Sequence, residues 1–141
     1  MQQGVSFTAL ELDGDERFQG LRRELGVESF GMNLIRLAPG QRGRIHRHER
    51  QEEVYLVLEG TLTLEVEGDA HELARHQLAR VAPDVRRRLA NLHREPLAVL
   101  ALGGAHAHEG RDGRAWSAWD EGGPGRPPPE VPLPEDLDVE R

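Results

Sequence analysis

The chain reads as an all-β protein, a sandwich or barrel of short strands with one short helix ahead of it. Three observations predict this class. From Phe30 onward apolar residues recur at every second position instead of at three and four. Glycine and proline turn signals interrupt that alternation at close spacing. Finally, 141 residues without a cysteine are enough to bury one core unaided by disulfides or thiolate metal sites.

The elements follow in order. Residues 1–29 form an N-terminal segment in which GDERFQGLRRELG, residues 14–26, predicts a short helix, because Phe18, Leu21 and Leu25 recur at helical spacing and Gly26 suits a C-terminal stop. This helix is expected to pack across one end of the body. Residues 30–119 form the β domain, with FGMNLIRL, EVYLVL, TLTLEVE, QLARVA, RRRLANL and PLAVLAL as strands. In TLTLEVE, Leu62, Leu64 and Val66 share one face, and Thr61, Thr63, Glu65 and Glu67 the other. Val54, Leu56 and Leu58 likewise oppose Glu53, Tyr55, Val57 and Glu59, a mixed set suited to a partly polar cavity. Trp116 and Trp119 anchor the end of the body. The proline-rich residues 120–141 are too poor in apolar surface to offset their ordering entropy, so they predict a flexible tail unless they dock on something.

Composition removes several functional classes. Without cysteine there is no thiolate zinc site, iron–sulfur cluster or cysteine nucleophile, and metal ligands narrow to nitrogen and oxygen. All 18 basic residues are arginine, which excludes Schiff-base chemistry on lysine and with it pyridoxal catalysis. Residues 120–141 carry seven acidic side chains against Arg126 and Arg141, hence −5 of the net −7, and the body is close to neutral. Nucleic acid is therefore not expected as a partner, although Arg86, Arg87 and Arg88 cluster locally. No apolar run is long enough to cross a bilayer and no export signal opens the chain, so no membrane partner and a cytoplasmic location are expected.

The chemistry concentrates in HRHERQEEVYLVLEG, residues 46–60. His46 and His48 are two apart, so on one strand both imidazoles project from the same face. Glu53 opens the next strand after a short turn. Two histidines and a carboxylate brought together by adjacent strands make a facial triad that leaves open positions on iron, manganese, nickel, cobalt or zinc.

At these residues the sequence resembles the cupin family. Its first motif, G-x5-H-x-H-x3,4-E-x6-G, is matched at every fixed position by Gly40, His46, His48, Glu53 and Gly60, and the likeness runs from about Phe30 to Gly104. The resemblance implies a double-stranded β-helix, that is, a small jelly-roll barrel. It also implies a homodimer, since cupins commonly pair barrel to barrel, in keeping with exposed sheet faces. The second motif, G-x5-P-x-G-x2-H-x3-N, falls in register on His76, Ala82, Asp84, Arg87 and Asn91, and only the asparagine matches. Arg87 stands where the family places its fourth metal ligand.

A guanidinium cannot ligate a metal. Arg87 therefore reaches past a three-ligand metal to clamp a substrate carboxylate or phosphate, or pairs with Glu53 and leaves a metal-free binder of anions, or points outward while the site recruits a water or His76. Arg86 and Arg88 are expected to face solvent on either side. Tyr55 and Asn91 join Arg87 as candidate substrate-binding residues, with core packing and a tied-down turn as their structural alternatives. His71, His76 and His93 read as surface residues, and His106 with His108 as a chance pair lacking an acid at ligand spacing. The resulting expectation is a metal-binding cupin acting on a small anionic metabolite by oxygenase or isomerase chemistry, with no catalytic residue assigned. The competing expectations are a non-catalytic binding or sensing cupin and a partner-binding protein that uses its tail.

Overall fold

Strict alternation of apolar and polar side chains requires each strand to lay one face on a common core, and two facing sheets supply it. The computed structural model describes residues 4–104 and 112–139. Among the described residues the strands are β1 (Phe18–Gln19), β2 (Phe30–Leu37), β3 (Ile45–His48), β4 (Glu52–Glu59), β5 (Leu62–Val66), β6 (Asp69–Leu73), β7 (Leu78–Val81), β8 (Arg87–Ala90), β9 (Leu97–Gly104) and β10 (Gly113–Trp116). They form two five-stranded sheets, β1-β2-β9-β4-β7 and β10-β3-β8-β5-β6, with every neighbouring pair antiparallel.

Between the sheets lies the main core, which includes Leu37, Tyr55, Val57, Leu62, Leu64, Leu89 and Val99. Leu62 and Leu64 face inward from β5, and Tyr55 and Val57 face inward from β4, as the alternation of those strands requires. A second, smaller cluster of Leu21, Leu34 and Ala98 forms on the outside of the first sheet, with Met32, Leu58 and Leu100 packed against it. That cluster seats the helix α1 (Leu21–Leu25) against the outer face of the first sheet, with Arg22 and Arg23 at the mouth of the barrel. The helix is also shorter than its periodicity predicts. Phe18 and Gln19 pair with Ile35 and Leu34 as β1, and the buried Gln19 amide is held by Ala9 O and Glu24, which fixes that half as extended chain.

Gly40 and Gly60 have φ of +87° and +79°, a region that costs any side-chain-bearing residue strain. A Cβ at Gly40 would also overlap Leu137 O, and one at Gly60 would overlap Pro96 O. Both glycines thus allow chain segments to pass in direct backbone contact.

Residues 120–139 take the docked alternative. Val131 is buried, Leu137 N donates to Gly40 O at 2.8 Å, and Arg44 Nε and Arg42 Nη2 donate to Val131 O and Glu135 O. Trp116 is buried under the guanidinium groups of Arg47 and Arg86, and Arg86 and Arg88 both lie over Trp119. Arg86 and Arg88 are thus covered by the C-terminal segment and not solvated: Arg86 donates to Trp119 O and Glu121 O, and Arg88 pairs with Glu65. No helix among the described residues is long and apolar enough to cross a membrane.

Candidate functional site

β3 and β4 belong to different sheets, so His46 and His48 face Glu53 across the barrel and are not neighbours in one sheet. The turn over residues 49–51 carries the chain from one sheet to the other. His48 Nε2 lies 3.3 Å and His46 Nε2 3.6 Å from Glu53 Oε1, and one ligand atom from each of the three residues falls within 4.8 Å of the others. Each of the three is partly exposed to the cavity, so the cluster is open on one side.

The far side of each imidazole is fixed. His46 Nδ1 lies 3.1 Å from Arg44 O, and His48 Nδ1 lies 2.8 Å from Asp112 Oδ1. Both partners accept only, so both Nδ1 atoms carry the proton. Asp112 is buried and accepts from Arg50 N, Gln51 N and Gln51 Nε2, so it cannot swing away. Consequently the neutral form of each ring turns its Nε2 lone pair toward a carboxylate. Lone pair against carboxylate is repulsive unless a cation, proton or metal, stands between them. A carboxylate or carbonyl behind a ligating histidine is the arrangement that orients metal-binding imidazoles.

The electrostatics of the cluster favour positive charge beside Glu53. Burial opposes protonation of His48, but its contacts with Glu53 and Asp112 outweigh burial and raise its pKa. Burial would likewise raise Glu53, yet the contacts with His46 and His48 hold it well below the usual carboxylate range. Asp112 is lowered against its own burial by Arg50 N and His48.

Arg87 pairs in register with His46, on β8, and its side chain is completely buried. Nη2 donates to Glu53 Oε1 at 2.6 Å, Nε to the Tyr55 hydroxyl at 3.2 Å, and Nη1 to the carbonyls of Ala82, Pro83 and Val85. Burial opposes its charge, but Tyr55 and Glu53 hold its pKa above the ordinary value. The guanidinium is thus turned to Glu53, Tyr55 and backbone carbonyls and lines neither compartment beside the triad, which differs from the expected clamp and from the expected outward-facing side chain. Tyr55 is also fully engaged: its hydroxyl donates to Glu53 Oε1 at 2.5 Å, and burial first, then the Glu53 charge, keep it protonated well above the usual range. Arg87 and Tyr55 therefore orient Glu53 through Oε1, while Oε2 has no hydrogen-bond partner among the described residues. Pairing with Arg87 and ligation through Oε2 are compatible, so the pair does not by itself remove a metal.

Asn91 lines neither compartment beside the triad. It is fully buried, donates to Leu37 O and Glu95 O, and accepts from His93 N, which ties down the turn after β8. His76 is exposed in a left-handed turn between β6 and β7 with φ of +73°, remote from the triad; His71 is exposed on β6, and His93 pairs with Glu72. The His106 and His108 pair lies outside the described residues. Sequence reading missed Asp112 and Gln51. An aspartate 64 residues from His48 leaves no spacing signal, and only the β10–β3 pairing brings it there.

Two compartments adjoin the triad. One of about 210 Å³ is mainly apolar, walled by Ile35, Leu37, Leu89 and Leu133 together with the three triad residues. The other, of about 320 Å³, opens toward α1 between Arg22, Arg23, Asn33, His48 and Glu53. Gly103 preserves that opening, since a Cβ there would stand 2.8 Å from Gln51 Oε1 and touch Glu53.

The comparisons agree with this architecture. No curated protein sequence matches the chain. A cupin protein of Bacteroides fragilis superposes with a TM-score of 0.67 at 21% identity, over 77% of this chain and 92% of that one. A sugar phosphate isomerase of the cupin superfamily from Silicibacter pomeroyi superposes with a TM-score of 0.63 at 26% identity, over 72% of this chain and 65% of that one. The present chain thus spans just under two thirds of that isomerase. The family profile described as "Cupin domain" matches residues 33–103, a span that contains the whole triad and Arg87. With two facing antiparallel sheets, His46, His48 and Glu53 converging between them, and a profile match over half its length, this chain belongs to the cupin family.

Proposed function

We propose that this cupin holds a divalent ion of zinc, nickel, manganese, iron or cobalt through His46 Nε2, His48 Nε2 and Glu53, and acts on a small anionic metabolite. Isomerisation of a phosphorylated sugar is the favoured chemistry. The observation that carries the metal reading is the occupied Nδ1 of both histidines, which leaves both Nε2 lone pairs facing Glu53. The donor set of two imidazoles and one carboxylate suits these ions. The choice of isomerase draws on the 26% identical sugar phosphate isomerase, and is a proposal by similarity.

A bound ion supplies Lewis acidity, polarising a substrate oxygen. The chain's own residues do the positioning. Asp112 and Arg44 O fix the imidazole tautomers, Arg87 and Tyr55 fix Glu53 through Oε1, and the apolar wall of Ile35, Leu37 and Leu133 limits water at the triad.

A second reading, a binding module without turnover, is favoured by one observation. Among the described residues lining the two compartments, Glu53 is the single carboxylate, and no histidine besides the triad pair is present to shuttle a proton. The test is an assay for interconversion of aldose and ketose phosphates by the metal-loaded protein, the chelated protein and His46→Ala. Turnover lost on chelation and in His46→Ala supports the isomerase. Retention of a sugar phosphate without turnover favours the binding module, and neither turnover nor retention contradicts both readings.

A further inference from the structure

The arginine residues around the site divide into two kinds. Those beside the apolar compartment are committed: Arg17 donates to Arg42 O and approaches Asp136, and Arg44 donates to Val131 O, so the C-terminal segment occupies both. Arg22 is different. It projects from α1 into the larger compartment, which His48 and Glu53 also line, and among the described residues its side chain has no hydrogen bond and no ion pair. Its Nε is moreover sealed from solvent without an acceptor. The Nη edge of the same guanidinium is not sealed and has no acceptor among the described residues, so it is the edge that an anion entering the compartment meets, with no existing bond to displace.

The placement of Arg22 follows from the fold. Among the described residues β1 pairs β2 only at Ile35 and Leu34, and no strand pairs with the edge of β2 beyond them. The chain turns there into α1, whose Leu21 is buried in the outer cluster, and this anchors the next residue at the cavity rim. Arg23 follows on the same rim, more exposed, and adds a second positive charge. Across the compartment Gly31 and Gly103 leave the floor free of side chains between α1 and Glu53.

We propose that Arg22, assisted by Arg23, is the anion-recognition element of the site, taking the carboxylate or phosphate of a small metabolite whose other end lies at His46, His48 and Glu53. This rests on the functional reading above and assigns to Arg22 the role expected of Arg87. A compartment of about 320 Å³ lies at the low end of ligand pockets, which restricts the metabolite to a small one. The planar guanidinium fork suits both carboxylate and phosphate oxygens.

The experiment is calorimetric titration of the full-length protein with inorganic phosphate in one arm and malonate in the other, on wild type, Arg22→Gln, Arg22→Lys and His46→Ala. Metal content is measured on the same samples. Saturable binding of at least one anion to the wild type is expected, weakened on the order of tenfold or more in Arg22→Gln. Arg22→Lys, which keeps the charge but loses the fork, should fall between the two. Tighter phosphate binding identifies a phosphorylated metabolite, and tighter malonate binding a carboxylated one.

Equal affinity in wild type and Arg22→Gln overturns the proposal, as does the absence of binding of either anion to the wild type. Loss of phosphate binding in His46→Ala with full binding in Arg22→Gln overturns it too, because the anion then sits on the metal. A wild type without metal whose anion binding still depends on Arg22 removes the metal reading and keeps the anion site, so the two failures are told apart.

Discussion

Replacing Arg87 by methionine removes the buried cation that donates to Glu53. Arg87 is completely buried and donates to Glu53 Oε1 at 2.6 Å, to Tyr55 and to three backbone carbonyls. Breaking a buried pair by removing one partner costs about 3–5 kcal/mol, because the remaining charge is left uncompensated. His48, whose pKa is raised, stays in place and can carry a compensating proton, so the lower end, about 3 kcal/mol, applies to the metal-free protein. For a chain of this length that is a drop of roughly 10 °C in Tm. With metal loaded, the ion takes over part of the compensation of Glu53, so the drop should be smaller. The assay is thermal denaturation of wild type, Arg87→Met, Glu53→Gln and the double mutant, each with chelator and with added metal. In the chelated protein the two single losses should not add, with a coupling of about 1 kcal/mol or more. A chelated Arg87→Met that melts within about 3 °C of wild type, or additive losses, would refute the reasoning that Arg87 compensates Glu53.

Asp112→Asn keeps the shape but weakens the acceptor behind His48, and metal affinity measured by competition with a chelator should fall about 10–100-fold; unchanged affinity would show that Asp112 does not orient the ring. In the metal-free protein the raised pKa of His48 contributes stability below its unfolded value of 6.5 that is lost as pH rises through the folded value. The lowered pKa of Glu53 contributes stability above 4.5 that is lost as pH falls, so chelated protein should melt highest in mild acid, between those two values. Melting temperatures of chelated protein that climb steadily from mild acid to pH 8 would contradict this. Bound metal competes with the same protons, so occupancy measured against pH should decline on acidification. Deleting residues 126–141 uncovers the site of Val131 and opens the apolar compartment at Leu133, and burial of a single valine is worth about 1.5–3 kcal/mol, so Tm should fall by several degrees. An unchanged melting curve would mean that the segment does not pack on the barrel in solution.

Much of this architecture is legible without coordinates. Strands with one face on the core announce themselves by alternation: FGMNLIRL is β2 without a residue's difference, and of the mixed set Glu53, Tyr55, Val57 and Glu59 on β4 the first two line the cavity while Val57 is buried in the core. The metal ligands are legible because they sit within eight residues of one another. What escapes is whatever depends on distant pairing. β6, DAHEL, is exposed along all but its last residue and so lacks apolar alternation, and β10 is four residues defined by its pairing with β3. Asp112 reaches His48 only through that pairing. The fate of Arg87 is likewise a matter of distance, since charge and register place it at the site but not behind Glu53. The docking of residues 120–139 depends on backbone acceptors at Val131 and Glu135, which composition does not encode.

The central claim, that the three side chains form a metal site, is tested most directly by elemental analysis of protein purified without a metal-affinity column, beside His46→Ala. Near-stoichiometric divalent metal is expected in the wild type, and its loss in His46→Ala. Metal absent from the wild type after incubation with each of the five candidate ions, or retained undiminished in His46→Ala, would contradict it.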